Sequence, residues 1–150
     1  MIEVRLQSAP FDAGEELARL DRLGGGGVAS FTGIVRGDDE LVELLLEHHP
    51  EMTLTMMQGL AREAAERWHL LGITVIHRYG ALRPGAPIVF VATAARHRGA
   101  ALDACASLID RLKTQAPFWK RETFADGRSQ WVEARASDDM AAARWLRDEG

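Results

Sequence analysis

The chain has 150 residues, of which 47% are hydrophobic and 27% charged, and its formal charge at pH 7 is −4. This length predicts a single domain over residues 1–150, and the composition is that of a soluble globular protein. A negative net charge argues against a general nucleic-acid binder but leaves a local anion site open, because net charge says nothing about one pocket.

Targeting signals and disulfides are not expected either. No apolar run reaches the ~20 residues that a membrane span requires. The first ten residues, "MIEVRLQSAP", lack the cationic start and apolar stretch of a signal peptide. The one cysteine, Cys105, has no partner for an internal disulfide. The sequence therefore predicts a protein of the reducing cytoplasm.

The first third of the chain predicts a strand, a helix and then two more strands. Alternation in "IEVRL" indicates a half-buried strand. "PFDAGEELARLDRL" predicts a short helix with Asp12 as N-cap and Glu15 three residues later. The glycine run 24–27 follows a helix and precedes a strand, "VASFTGIV", which favours a turn over a phosphate-binding loop. A polar loop at 36–40 leads into the strand "LVELLLEHH".

The rest of the chain alternates helices with paired strands. Pro50 and Thr53 open a long helix to about residue 71, with Met56, Leu60, Ala64 and Trp68 predicted on one face. "ITVIHRYGAL" and "APIVFVATAARH" are predicted strands around an "RPG" turn, and 99–114 is a second long helix. "FWKRETF" and "SQWVEARA" predict a hairpin around "ADG", and the tail is predicted to form a terminal helix capped by Ser137. This order predicts an α+β domain with a mostly antiparallel sheet.

Lysine usage singles out the stretch "RLKTQAPFWKRE" at 111–122. Lys113 and Lys120 are the only lysines, whereas the other sixteen of the eighteen basic residues are arginines. Arginine stays protonated, but a desolvated lysine loses its proton readily and then acts as a base or nucleophile. Lys113 is predicted in the last helical turn and Lys120 on the next strand, so both amines have access to one site. Two solvated lysines beside a loop remain the alternative.

A second cationic cluster lies where a predicted strand meets the 99–114 helix. Arg96, His97 and Arg98 follow the apolar "PIVFVATA". Free N–H groups at a helix start, with guanidinium and imidazole groups beside them, suit a phosphate or carboxylate. A charged helix start exposed to water is the alternative. Arg36 and Arg135, each at a strand end, do not predict a site on their own.

The remaining histidines and the cysteine are predicted to be structural. His77 on its strand is expected in the core or an interface. His48 and His49 are adjacent, so they point to opposite faces of a strand, and no metal site or resident cofactor is expected. Cys105 is predicted on an apolar helix face with four aliphatic residues, Leu102, Leu108, Ile109 and Leu112.

These motifs resemble the large, catalytic subunit of molybdopterin synthase. The matching segments are "VASFTGIVR", "LEHHPEM", "ITVIHRYGALRPG", "PIVFVATAARHRGAALDA", "LIDRLKTQAPFWKRE" and "WVEAR", in the family's order from about Ile2 to Trp145. The chain departs from the family in a short acidic loop after Arg36 and in His49, where an aromatic residue is common.

The resemblance implies an α/β hammerhead fold with two long helices and a sulfur-transfer activity. Cyclic pyranopterin monophosphate would be converted to molybdopterin by forming its dithiolene, with sulfur delivered by the thiocarboxylated Gly-Gly tail of a small ubiquitin-like partner. It implies that Lys113 is the central catalytic residue and that Lys120 assists. It further implies that Arg36, His97 and Arg98 hold the anionic substrate, and that Arg135 is contributed across a homodimer within a heterotetramer.

Two other functions stay open on the residues alone. A non-catalytic scaffold that binds a pterin or nucleotide phosphate would use the His97 and Arg98 cluster without depending on Lys113. A single-stranded nucleic-acid binder would stack bases on Trp119 and Trp131, although the acidic composition gives it little support.

Overall fold

In a computed structural model of the chain, residues 1–38, 40–132 and Trp145 are described. These residues form β1 (Ile2–Gln7), α1 (Ala13–Asp21), β2 (Gly27–Ile34), β3 (Leu41–His48), α2 (Met52–Arg67), β4 (Gly72–Arg78), β5 (Gly80–Leu82), β6 (Pro87–Ala95), α3 (Arg98–Gln115), β7 (Phe118–Phe124) and β8 (Ser129–Val132). The predicted terminal helix and its cap Ser137 lie outside the described residues, apart from Trp145.

The strands form two sheets where the sequence predicts one. The first sheet has the order β1-β4-β6-β2, in which only the β1–β4 pair is parallel. The second has the order β5-β3-β7-β8 and is antiparallel throughout. With two long helices of 16 and 18 residues, the α+β class with mostly antiparallel pairing is confirmed.

One predicted strand is divided between the two sheets. "ITVIHRYGAL" separates into β4 in the first sheet and β5 in the second. Gly80 follows the break with φ of +95°, a left-handed conformation that glycine adopts without a Cβ clash. Arg78 stabilises the chain at this break between β4 and β5, because its guanidinium donates to the carbonyl oxygens of Ser8 at 2.9 Å and Pro87 at 3.1 Å. The chain therefore passes from one sheet to the other within two residues.

The first sheet is covered on both faces, which explains why β4 and β6 are apolar along their length. Helices α2 and α3 pack on one face around Val75, Val91 and Leu108. Helix α1 packs on the other around Leu20 and Phe90. Its predicted cap is confirmed, since the Asp12 side chain accepts from the backbone N–H of Glu15 at 3.1 Å. A third cluster of Val35, Leu44, Leu46 and Leu82 joins the two sheets.

Helix α2 differs from the prediction in its buried face and its end. Met57 is buried, whereas the predicted Met56 is 37% exposed. The helix stops at Arg67 and not near residue 71, because His69 takes a left-handed φ of +50°. Beyond α2, Trp68 makes an edge-to-face contact with Trp145, with ring centroids 5.8 Å apart. No helix among the described residues combines the length and apolar character that crossing a membrane requires.

Candidate active site

The two predicted cationic clusters, the lysine pair and the Arg96–Arg98 group, lie at opposite ends of helix α3. His97 is its N-cap in an extended conformation, and Lys113 lies in its last turn. The fifteen steps from Arg98 to Lys113 rise about 22 Å along the axis. Within one copy of the chain, the His97–Arg98 pair and Lys113 therefore do not reach one small pocket.

The start of α3 is an exposed cationic junction. Arg96, His97 and Arg98 are all exposed, and the first turn of α3 carries no acidic residue. The His97 side chain does not cap the helix, so the N–H groups of the first turn receive no side-chain acceptor from it. Beside this junction lies a cavity of about 470 Å³, whose lining residues are Trp68, His69, Leu71, Ala95, Arg96, His97 and Ala100.

The glycine run passes directly beneath this junction and is confirmed as a connection between α1 and β2. The Gly26 N–H donates to the Ala95 carbonyl at 3.0 Å. A Cβ on Gly25 would lie 2.6 Å from that same carbonyl oxygen, and one on Gly27 would lie 3.3 Å from the Arg98 Cα. Glycine is needed at position 25 because two backbones approach too closely there for any side chain, whereas the contact at Gly27 is tight.

The other end of α3 lies next to the two lysines, with Lys113 in the last turn of α3 and Lys120 on β7. The helix stops at Gln115, and Ala116 turns extended ahead of Pro117, which cannot continue a helix. The Thr53 hydroxyl at the start of α2 donates to the Pro117 carbonyl at 2.9 Å and fixes the turn. Lys113 and Lys120 are both exposed on either side of this turn, at the positions predicted from the sequence.

The pairing of β7 with β3 defines the direction of Lys120. Lys120 lies opposite Leu46, and Phe118 lies opposite His48. Side chains of opposed residues share a face of the sheet, as do residues two apart on a strand. Lys120 therefore stands on the same face as Phe118 and His48, and Leu46 on that face is buried in the cluster that joins the two sheets.

His77, at the end of β4, meets that face. Its ring stacks on Phe118 with centroids 3.7 Å apart and planes at 18°. Nδ1 lies 2.8 Å from the Arg78 carbonyl oxygen, so Nδ1 carries the proton and donates it. The pKa of His77 is lowered from 6.5 to about 4, chiefly by burial; the hydrogen bond to the Arg78 carbonyl opposes this shift, and the charges of Lys120 and His48 add smaller contributions to it. His77 is neutral at pH 7, and its predicted place in the core is confirmed.

Arg36 lies at the lysine end of the first sheet. The preceding Val35 is fixed by two backbone hydrogen bonds of 2.9 Å. Its N–H donates to the Ala86 carbonyl, and its carbonyl accepts from the Gly85 N–H. Gly33, near the end of β2, pairs with Val89, which also pairs with His77. The start of β2 lies instead beside Arg98. Arg36 and Lys120 therefore share one end of this sheet, and the His97 junction occupies the other.

The remaining predictions concern Arg135, a metal site and the surroundings of Cys105. Arg135 lies outside the described residues. Among the described part of the chain, no cluster of histidine, cysteine and carboxylate side chains is arranged to hold a metal ion. Cys105 is buried as predicted, its thiol lies 3.8 Å from the Val91 carbonyl, and burial raises its pKa to about 11. Leu102, predicted beside it in the core, is 59% exposed, because α3 turns Ala101 and Ala104 inward instead.

Sequence reasoning missed the pairing of His77 with Phe118. The two residues are 41 positions apart, and no local pattern relates them. The adjacent aromatic and lysine in "FWK" was the only signal of a site at this strand start.

Comparison with known proteins identifies the family of this chain. Residues 6–115 match the family model of the MoaE protein. The molybdopterin synthase catalytic subunit of Pseudomonas aeruginosa is 48% identical over 147 residues, covering 95% of this chain and 97% of that protein. A solved molybdopterin biosynthesis MoaE protein from Burkholderia ambifaria has a TM-score of 0.82 at 44% identity, covering 97% of this chain and 98% of that one.

A more distant solved structure shares the fold alone. It is the complex of subunits 1 and 2 of the molybdopterin-converting factor from Helicobacter pylori, with a TM-score of 0.72 at 19% identity, covering 89% of this chain and 91% of that one. The resemblance seen in the motifs is thus confirmed over nearly the full length. The chain belongs to the MoaE family of molybdopterin synthase catalytic subunits, enzymes of molybdenum cofactor biosynthesis.

Proposed function

We propose that this chain forms the dithiolene of molybdopterin from cyclic pyranopterin monophosphate, with Lys113 as the principal acid–base group and Lys120 assisting it. The observation that carries the assignment is the place of the only two lysines. They flank one turn, on the end of α3 and the start of β7, in a chain that otherwise uses arginine. Opening a cyclic phosphate and replacing oxygen with sulfur both require proton transfers, which amines perform well.

The sulfur has to come from outside the chain. Cys105 is the only cysteine, it is buried, and its raised pKa keeps the thiol protonated at neutral pH. A protonated, buried thiol is a poor nucleophile and a poor sulfur carrier. This supports delivery by a thiocarboxylate on the C-terminal Gly-Gly of a small ubiquitin-like subunit. The two-subunit complex from Helicobacter pylori, whose first and second subunits are bound together, supports such a partner by analogy.

Substrate binding would involve two copies of the catalytic subunit. The substrate phosphate needs cations, and we assign Arg36, His97 and Arg98 to it. Since α3 separates His97 and Arg98 from Lys113 by about 22 Å in one copy, a site that uses all of them requires the α3 start of a second copy. We therefore propose a homodimer with shared sites, in which Arg135 also crosses to the partner, within a heterotetramer of two large and two small subunits.

Replacing the lysines tests the chemical assignment. We expect Lys113→Ala to lower molybdopterin formation by at least about a hundredfold, the usual effect of losing a general acid or base, with the thiocarboxylated partner and substrate supplied. Lys113→Arg should not restore it, because arginine keeps its proton. Arg62→Ala, which removes an exposed cation from α2, is the matched control. Wild-type turnover by Lys113→Ala would refute the assignment.

Mixing two inactive variants tests the shared site. In a mixed dimer of Lys113→Ala and Arg98→Ala, a shared arrangement leaves one site intact and puts both changes in the other. Random exchange of subunits should then restore about a quarter of wild-type activity. If each site belongs to a single copy, every site in the mixture keeps one defect, and no activity returns.

A non-catalytic scaffold is the competing function. It predicts calorimetric binding of cyclic pyranopterin monophosphate without turnover when the thiocarboxylated partner is present. Product formation under the same conditions excludes it.

A further inference from the structure

The connection between α3 and β7 is held at two successive residues. The Thr53 hydroxyl bonds the carbonyl of Pro117 at 2.9 Å, and the His77 ring stacks on the side chain of Phe118 at 3.7 Å. Thr53 is fully buried and His77 is 8% exposed, so the surrounding core restricts both side chains to one conformation. Lys113 precedes this connection by four residues and Lys120 follows Phe118 by two.

The stack of His77 on Phe118 fixes the backbone from which the Lys120 side chain extends. Phe118 opens β7 and lies on the same face of the second sheet as Lys120 and His48. His77 belongs to the first sheet, where it pairs with Leu6 and Val89. The aromatic contact therefore ties β7 to the first sheet at the position from which Lys120 extends.

The charge state of His77 matters as much as its shape. With Nδ1–H committed to the Arg78 carbonyl and the ring neutral at pH 7, His77 adds no positive charge beside Lys120. A second cation here would repel the ammonium group of Lys120, and burial disfavours that cation in any case. His48, whose own ring lies 4.4 Å from that of Tyr79, also lies near His77.

We propose that His77 is a positioning residue for sulfur transfer, which acts by stacking on Phe118 and so fixing the Lys120 amine relative to the first sheet. The proposal rests on the function proposed above, because it assigns His77 a role through Lys120. It assigns no contact between His77 and the substrate.

Steady-state kinetics with matched core variants test it. We expect His77→Ala and Phe118→Leu to lower kcat by about tenfold or more, as misplacement of a reacting group does, with KM for the carrier protein within about twofold of wild type. His77→Phe keeps a neutral stacking ring and should recover kcat to within about threefold. Phe11→Leu is the control, since Phe11 pairs with Phe90 at 5.7 Å on the far face of the first sheet.

The control separates positioning from general loss of stability. Phe118→Leu and Phe11→Leu should lower the melting temperature comparably, yet only Phe118→Leu should lower kcat. Equal losses of kcat in the two variants, or wild-type kcat in Phe118→Leu, would overturn the proposal. If His77→Ala does not fold, the comparison of His77→Phe, Phe118→Leu and Phe11→Leu decides the matter.

A second readout does not depend on turnover. Since the chain has only two lysines, reductive methylation with ¹³C-formaldehyde gives separate NMR signals for Lys113, Lys120 and the N-terminus. We expect Phe118→Leu to shift the Lys120 signal and leave the N-terminal signal unchanged. An unshifted Lys120 signal refutes positioning. If Lys120→Ala retains full activity while the signal still shifts, the catalytic assignment of Lys120 fails and the positioning contact stands.

Discussion

Protonation of His77 should make the stability of this protein depend on pH. Its pKa falls from an ordinary 6.5 to about 4 in the folded state, chiefly through burial. The unfolded chain therefore binds a proton below pH 6.5, which the folded chain accepts only near pH 4. Stability is unaffected above pH 6.5 and is lost as the pH falls from 6.5 to 4. At 1.36 kcal/mol for each pKa unit, the total loss is about 3 kcal/mol.

Urea unfolding of wild type and His77→Phe at pH 7.5, 6.0, 5.0 and 4.5 measures this effect. The phenylalanine ring does not titrate, so the difference in unfolding free energy between the two proteins should change by about 2 kcal/mol or more over the series. His48→Gln is the control, because it removes a minor cause and leaves the burial of His77 in place. If the wild-type and His77→Phe curves stay parallel, His77 is not buried and neutral as described.

Three other experiments test the fold. Gly25→Ala would place a Cβ 2.6 Å from a backbone oxygen of β6 and should lower the free energy of urea unfolding by about 1–3 kcal/mol. Gly59→Ala is in open space on α2 and should raise that free energy by about 0.5–1 kcal/mol. The reverse order of stability would contradict the close approach at Gly25. Cys105 should react with a thiol reagent at pH 8 at least about a hundredfold more slowly in native protein than in urea, and immediate native labelling would show that it is not buried. Asp12→Ala should cost about 1 kcal/mol and Asp12→Asn little, since asparagine also caps helices; equal losses would exclude the cap.

Lys113 and Lys120 lie on elements that belong to different layers of the fold, and this has a mechanical consequence. The α3 end belongs to the layer packed on the first sheet, while β7 belongs to the second sheet. Any motion between the sheets would change the distance between Lys113 and Lys120. The Thr53 bond to Pro117 and the His77–Phe118 stack join α2 and the first sheet to the start of β7, and so oppose such motion.

Local chemistry in the sequence was enough for several features. The Asp12 cap, the turn at Gly85, the end of α3 before Pro117 and the burial of Cys105 all follow from neighbours within a few residues. Each depends on a backbone preference or a helical period that the chain carries wherever it folds. The motifs around Lys113 were also sufficient to identify the family.

Long-range packing decided the rest. Periodicity alone did not choose Met57 over Met56 for the core, because both lie near the edge of the same helical stripe and only the facing sheet distinguishes them. The division of residues 73–82 between two sheets, and the stack of His77 on Phe118, depend on pairings between distant strands. The sequence thus determined which side chains are candidates for the proposed chemistry, since residue type and local spacing are written in it. Tertiary structure alone decided which of them meet, since an 18-residue helix holds His97 and Lys113 apart, although both belong to the same family signature.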